Sequence, residues 1–585
     1  MPTTDNSTRD EELQKDQQLL KLIRSRGVVP LIGGERPAKS SERFVFFRIE
    51  DPSAFKVALR DFKPTSAKDV QTNIFSICKA RQEVKLGNKP AVERIKLKQY
   101  LIAFSRKGLD VLGLEGKKTG DVRFDTHSMR DDKDYLGDQR DWLPLFEQGF
   151  KPEQGIDEKQ ALHGVIAIAT DSKSVLIWKI RQYIGLLKTP FSDDEDRDEA
   201  TNDLKTLFGK SWDPRGEVDG KVRPGENRHN EHFGFKDGIS QPSVRGVNHP
   251  LPGQIQVDPG VIIMGYDSDP VPNREAWTKD GTMMAFKKLH QSVLSWDDYV
   301  STNGQRWKEF FPGGQEAANK LYPPLTNEEG AQLFGARFVG RWQSGAPIAL
   351  APIRDDPDLG NDPKRNNKFD YSVRDVPGVS PHEPSDYYCP FTAHSRKTVP
   401  RNLDPYVSRQ YLESGAIVRA AIAYGPEVTD DERKAWQSAP ATKKPPEVER
   451  GLLFNCYSSH LDSGFVRQST GYGNNDYFPI TGLIPVKHGQ DPIIGGPPPK
   501  GSSKEEKKAS LDAAPTNQFQ DGDEVDIDLK IPGDTLSCYT VSGQISVRPL
   551  TQAAPPGADN PFFVTSQGGE YFFVPSIPTL KSWAN

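Results

Sequence analysis

Short runs of aromatic and β-branched residues punctuate this chain, and apolar residues at helical spacing follow several of them. The first run is Arg43–Ile49 (RFVFFRI), a composition suited to the pleated, half-buried surface of a strand. Asp51-Pro52 behind it has the pattern of an N-cap and first helical position, opening a helix through Ala54, Phe55 and Leu59. Tyr100–Phe104 (YLIAF) predicts a second strand, with Ser105 capping a helix that carries Leu109 and Leu112. A third, His163–Ala169 (HGVIAIA), precedes a helical pattern at Val175, Leu176, Trp178 and Ile180.

The layout recurs in the second half. Thr282–Leu289 (TMMAFKKL) predicts a strand followed by a helix reaching Val300, and Gly451–Cys456 (GLLFNC) a strand followed by a turn at Asp462–Gly464. This reads as two related α+β units. Two segments look inserted. Ser192–Glu199 (SDDEDRDE) is an acidic run opening a solvated helix that ends near Gly209. Residues 496–560 start with Pro497–Pro499 and a charged tract that reads as disordered linker. Further on, Val525, Ile527, Leu529 and Ile531 alternate with polar residues, and a second alternating run covers Val541–Val547. Together they predict a half-buried hairpin.

Composition narrows the function classes. At 585 residues the chain exceeds one compact core. Its net charge of -5 gives no basic field for nucleic acid or an anionic membrane. Mean hydropathy is -0.66, and no apolar run is long enough to span a bilayer. The first twenty residues are polar and acidic, without the apolar core of a signal peptide. The expected location is therefore cytoplasmic, or secreted if a leader has been removed. Four cysteines (Cys78, Cys389, Cys456, Cys538) form no C-x-x-C pair. That excludes zinc-finger and thioredoxin chemistry, and any haem would be held non-covalently. The ten histidines form no H-E-x-x-H or H-x-H constellation, so composition alone selects no metal ligand.

Motifs do select. Residues 231–242 read EHFGFKDGISQP, residues 389–401 CPFTAHSRKTVPR, and residues 416–427 AIVRAAIAYGPE. Further segments are GRWQSGAPI (340–348), ERGLLFNCY (449–457), GQDPIIGG (489–496) and GGEYFFVPS (568–576). Alone, the G-x-x-D-G of residues 234–238 is an ordinary turn. Taken together, in this order, these segments resemble those of dye-decolorizing peroxidases, and the 25-residue step from His394 to Arg419 fits the long fungal-type members.

The resemblance implies an α+β fold of two ferredoxin-like domains, 1–225 and 226–585, with antiparallel sheets flanked by helices. The second domain would hold most of one non-covalent haem b per chain and carry the 496–560 insertion. It implies a peroxidase that uses hydrogen peroxide to oxidise bulky aromatic substrates such as dyes and phenolics. Asp237 would be the distal acid-base residue, Arg419 its cationic neighbour, and His394 the iron ligand, with Asp491 taking the remaining imidazole N–H. Leu452 and Phe454, two apart and so on one face of a strand, would wall the pocket. Arg396 and Arg401 would pair with haem propionates, whose geometry guanidinium matches. Tyr424 would relay electrons from surface aromatics. Tyr472 stands where many fungal-type members carry tryptophan before N-N-x-x-F-P, which makes it the outer relay residue.

The residue types account for the chemistry. Heterolysis of peroxide requires a proton to move from the inner to the outer oxygen, and an ionised carboxylate can carry it. Arg419, always cationic, would favour ionised Asp237 and stabilise charge on the leaving oxygen. A carboxylate stays basic at lower pH than histidine, so an acidic optimum is expected. The acidic cluster Asp521, Asp523, Glu524, Asp526 and Asp528 could hold Mn²⁺, which prefers carboxylate oxygens, but fits better the polar face of an amphipathic strand and its lead-in. Two other classes compete with a peroxidase. A non-enzymatic haem-binding or haem-delivery protein would need His394 but not Asp237 with Arg419. A hydrolase would need a nucleophile elbow, and no G-x-S-x-G occurs.

Overall fold

The computed structural model describes residues 41–70, 72, 94–138, 142–147, 161–174, 193–374, 376, 385–401, 408–440, 444–475, 478–479, 491–495, 524–532, 538–546 and 563–584. The helical pattern at Val175–Ile180 and the linker tract of the 496–560 segment lie outside them.

Among the described residues, one nine-stranded sheet organises the molecule. Its order is Trp212–Lys221, Ser41–Ile49, Gly164–Ser174, Arg94–Phe104, Val564–Val574, Thr282–Gln291, Gly451–Ser458 and Val418–Arg419, with Ile422–Tyr424 also pairing Gly451–Ser458. All of its registered pairs are antiparallel. The two half-sheets expected from the repeated layout are thus joined, Phe573 of the last long strand standing opposite Phe104.

The joined sheet curls. Phe44 and Phe46 lie in its first half, yet their ring centroids stand 4.8 and 5.1 Å from that of Phe286, on a strand separated from theirs by Gly164–Ser174, Arg94–Phe104 and Val564–Val574. Its far ends also meet: a Cβ built on Gly220 would fall 2.3 Å from Cγ2 of Ile422. An aromatic interior therefore fills a closed α+β barrel, each ring pair adding about 0.5–1.5 kcal/mol beyond its buried area. On the outer face Phe47 stacks on Phe55 at 5.5 Å, and Phe55 on Phe208 at 4.8 Å, which seats two helices.

The local signals explain those helices. Asp51 caps Pro52–Asp61 by accepting the Ala54 N–H at 3.0 Å, and Ser105 caps Arg106–Leu109 through the Gly108 N–H at 3.1 Å. The acidic run opens Asp193–Phe208, which ends against Gly209. The hairpin forms from Glu524–Pro532 and Cys538–Ser546. One expectation fails: Asp462–Gly464 is no turn but the start of a π-helix, Asp462–Gly473. Phe465, Val466, Gln468 and Tyr472 bury one side of it, and Gly464 lets it pass the strand, since a Cβ there would sit 2.4 Å from Ser458 Oγ.

Candidate active site

The loop carrying Asp237 is shaped from within. Glu231 accepts the N–H groups of Phe233 and Phe235, each at 2.8 Å, so one carboxylate holds both ends of the turn. Phe233 and Phe235 anchor it by packing on Trp296, with centroids at 4.9 and 6.1 Å. Gly234 and Gly238 sit at φ 93° and 79°, where a side chain would be strained. Asp237 N–H then donates to the His229 carbonyl at 2.9 Å, which fixes the backbone at the carboxylate.

Asp237 Oδ1 receives Nη2 of Arg419 at 2.9 Å and the Gly238 N–H at 2.7 Å. Burial by itself would raise the carboxyl pKa. The Arg419 charge, the Gly238 and Arg419 hydrogen bonds and the neighbouring His394 outweigh it, and the net result is a pKa below the ordinary carboxylate value. Arg419 stands on a short strand paired with Cys456. Gln241, four residues after Asp237, brackets it: the Arg419 N–H donates to Gln241 Oε1 and Gln241 Nε2 donates to the Arg419 carbonyl, both at 3.0 Å. The acid and its cation are therefore held in one hydrogen-bonded unit.

His394 opens the helix His394–Thr398. Its Nδ1 lies 2.8 Å from Asp491 Oδ2. Asp491 has no exposed surface, and its Oδ1 accepts the N–H groups of Ile493 and Ile494 at 2.8 and 3.1 Å. It is at once a turn residue and the histidine's partner. The carboxylate makes Nδ1 the protonated nitrogen and leaves the Nε2 lone pair available for a metal. Gly340 lets the preceding helix, Asn327–Val339, end against this segment: its φ is 84°, and a Cβ there would lie 2.1 Å from Ser395 Oγ.

Comparison with known proteins identifies the family. Residues 35–224 match the family model of the DyP dimeric alpha+beta barrel domain. A dye-decolorizing peroxidase of Auricularia auricula-judae is 31% identical over 93% of this chain and 83% of its own. One of Exidia glandulosa is 32% identical over the same shares. The chain belongs to the dye-decolorizing peroxidase family. A solved ancestral D-type dye-decolorizing peroxidase superposes with a TM-score of 0.69 at 33% identity, covering 96% of this chain and 99% of that one. A complex of a family member with 2,6-dimethoxyphenol gives 0.64 at 31% identity, covering 96% and 99%.

This dye-decolorizing peroxidase is a haem enzyme by family, and its own residues fit that group. The available Nε2 of His394 would hold the haem iron, and the Asp237–Arg419 pair lies close enough to His394 to feel its charge. Leu452 and Phe454 share the less buried face of their strand, while Leu453 and Asn455 between and beside them are fully buried. Arg401 donates to the carbonyls of Gly253 and Asn367, both at 2.9 Å, and stacks on Phe369 at 4.2 Å. Arg396 corrects an expectation. It is fully buried, donates to the carbonyls of Ser385 and Cys389, and lies over the rings of Phe391 and Tyr371 at 4.2 and 4.5 Å. Its guanidinium braces the segment before His394 instead of reaching toward a propionate.

The relay tyrosines lie deeper than surface residues. Tyr424 is 7% exposed, its hydroxyl 3.3 Å from Gln567 Oε1 and its ring 4.9 Å from Nζ of Lys288. Tyr472 is 1% exposed. Burial, followed by the nearby Glu449, raises the pKa of Tyr424 strongly. Of the acidic cluster, Glu524, Asp526 and Asp528 belong to the Glu524–Pro532 strand; Asp521 and Asp523 lie outside the described residues. No described helix is long and apolar enough to cross a membrane. A cavity of about 500 Å³ beside the distal loop, reaching Arg223, His229, Gly234 and Lys236, is lined by neither Asp237, Arg419 nor His394.

The sequence reading missed Gln241 and Glu231. Both lie inside the EHFGFKDGISQP run; the partner of Gln241, Arg419, is 178 residues away, which no local pattern reveals, whereas Glu231 acts on Phe233 and Phe235 within its own loop.

Proposed function

We propose that this chain uses hydrogen peroxide to oxidise bulky aromatic substrates, dyes and phenolics, with one haem b held non-covalently by His394 in the 226–585 half. The observation that carries the reading is the 2.9 Å Asp237–Arg419 pair within electrostatic reach of a histidine whose Nδ1 is committed to a buried carboxylate. Bound haem supplies the redox chemistry that splits the O–O bond.

The remaining work falls to this chain's own groups. Asp237, ionised, takes the proton of the inner peroxide oxygen and returns it to the outer one as water leaves. Arg419 keeps Asp237 ionised and stabilises the negative charge that develops on the departing oxygen. Asp491 holds His394 in the Nδ1–H tautomer and makes its Nε2 more basic. Leu452 and Phe454 wall the pocket, and a bulky reductant excluded by them passes electrons through protein aromatics along routes that include Tyr424 and Tyr472.

Asp237→Asn tests the reading. Peroxide-driven dye oxidation should fall by about 10²–10⁴-fold with the Soret band of bound haem retained. Because the pKa of Asp237 is lowered, its basic form persists into acid, and the unaltered chain should be most active at acidic pH. Unchanged turnover in the haem-loaded variant would overturn the mechanism and favour a haem-binding or haem-delivery role.

A further inference from the structure

The family relationship raises the question of where a substrate too large for the pocket hands over its electron. Tyr472 stands at the position where the motif suggests an outer relay, but at 1% exposure it touches no solvent. A tyrosine gives up an electron readily only if its phenolic proton has somewhere to go. Among the described residues the Tyr472 hydroxyl finds no acceptor for its proton. The groups that act on it are Tyr411 and Arg467, the latter a cation that donates and cannot accept.

Tyr411 has what Tyr472 lacks. It lies on the helix Arg409–Ser414 and is 44% exposed, so water can take its proton. Tyr322 is the other large exposed aromatic among the described residues, and no ring contact is recorded for it there. The ring of Tyr411 is 6.3 Å from that of Tyr472, centroid to centroid. Tyr472 stacks in turn on Phe478 at 3.9 Å with the planes 8° apart. Arg467 lies over the outer ring at 4.6 Å, holding it in place and presenting a cation to an arriving aromatic anion.

The inner end of the stack is tied to the histidine segment twice. The carbonyl of Gly473, one residue from Tyr472, accepts the Asp491 N–H at 2.8 Å, and Asp491 holds His394. Lys397, on the helix that His394 opens, donates to the carbonyls of Asn475 and Phe478 at 2.6 and 2.5 Å. Few through-space gaps thus separate the exposed ring from His394.

We propose that Tyr411 is the residue at which bulky aromatic reductants deliver electrons, and that Tyr472 and Phe478 form the ring stack conducting them toward His394. This rests on the peroxidase reading above. In the step, a reductant loses one electron and the phenoxyl radical of Tyr411 gains it. The radical recovers the proton from water and becomes the phenol again. The electron that Tyr411 gave up earlier passed inward, and peroxide, reduced to water, is the terminal oxidant.

The experiment uses the haem-loaded full chain and the variants Tyr411→Phe, Tyr411→Trp and Tyr472→Phe. Two quantities are read: the ratio of kcat/KM for a bulky anthraquinone dye to that for 2,6-dimethoxyphenol, and the radical trapped by freeze-quenching after peroxide. Tyr411→Phe should lower the ratio by about tenfold or more and abolish the tyrosyl signal. Tyr411→Trp, which can again be oxidised, should restore dye turnover with a tryptophanyl signal, an outcome that a packing role would not give. Tyr472→Phe keeps the stack and should keep the tyrosyl radical. An unaltered ratio in Tyr411→Phe, or loss of the radical in Tyr472→Phe alone, overturns the proposal. An unaltered chain that consumes no peroxide would instead sink the peroxidase reading beneath it.

Discussion

Replacing Asp491 by asparagine should loosen haem by a route that the hydrogen bonds dictate. Both oxygens of Asp491 are in use: Oδ1 serves the Ile493 and Ile494 N–H groups, and Oδ2 serves His394 Nδ1. Asparagine has nearly the same volume but only one acceptor. Two backbone donors claim that acceptor, so the amide N–H₂ is turned toward His394. A donor facing Nδ1 drives the ring proton to Nε2, the nitrogen that iron requires. If the ring keeps its tautomer instead, two donors confront each other in a fully buried spot, at a cost of about 1–3 kcal/mol. Either branch predicts haem affinity lower by roughly 10–100-fold, the usual penalty for losing such a partner. The assay is titration of haem into the apoprotein, followed at the Soret band, with thermal unfolding of the apoprotein as the folding control. The iron reduction potential, measured alongside, should rise, because a less basic imidazole favours ferric iron less. Affinity and potential both equal to those of the unaltered chain would refute the tautomer argument.

Two further outcomes follow from the same hydrogen bonds. Gln241→Ala removes both bonds to the Arg419 backbone, and kcat should fall while haem binding stays. Because Arg419 then sits less closely on Asp237, the acid limb of the pH–rate profile should move to higher pH; a profile with an unmoved limb would deny Gln241 its positioning role. Glu570 is 8% exposed, and burial pushes its pKa up to about 8. The folded chain thus keeps a proton that the unfolded chain releases near 4.5, so stability is greatest below that pH and declines as pH rises toward 8. Tm measured across this window should fall, and Glu570→Gln should flatten the decline; a slope unchanged by the substitution would assign it to other groups, such as Glu231, raised to about 7.

The strands were legible because their signals are local. RFVFFRI carries its β-propensity in seven consecutive residues, and Asp51 and Ser105 cap helices through donors three residues on. Sheet closure was not legible, since the approach of Gly220 to Ile422 spans about two hundred residues and leaves no periodic trace. The turn expected at Asp462–Gly464 went wrong for a related reason: glycine there serves close packing against Ser458, not a reversal of the chain. In the site, Asp237, His394 and Arg419 came from motif order, and no residue pattern gave the depth of the side chains. Arg396, Tyr424 and Tyr472 carry groups common at surfaces, and only the fold reveals that all three are enclosed.

That difference in depth also separates the two carboxylates of the site by task. Asp491, without exposed surface and with both oxygens bonded, suits a hydrogen bond that must never be exchanged for water. Asp237 keeps 29% of its side chain accessible, and the Arg419 and Gly238 bonds both fall on Oδ1. Its second oxygen is then the one suited to take up and release a proton. A fully enclosed Asp237 could hold Arg419 but could not reach peroxide, and an open Asp491 would let water compete for Nδ1 and loosen the tautomer of His394. The same residue type thus serves as proton carrier on one side and as fixed acceptor on the other, and what distinguishes them is how many of their oxygens already hold a hydrogen bond: both in Asp491, one in Asp237.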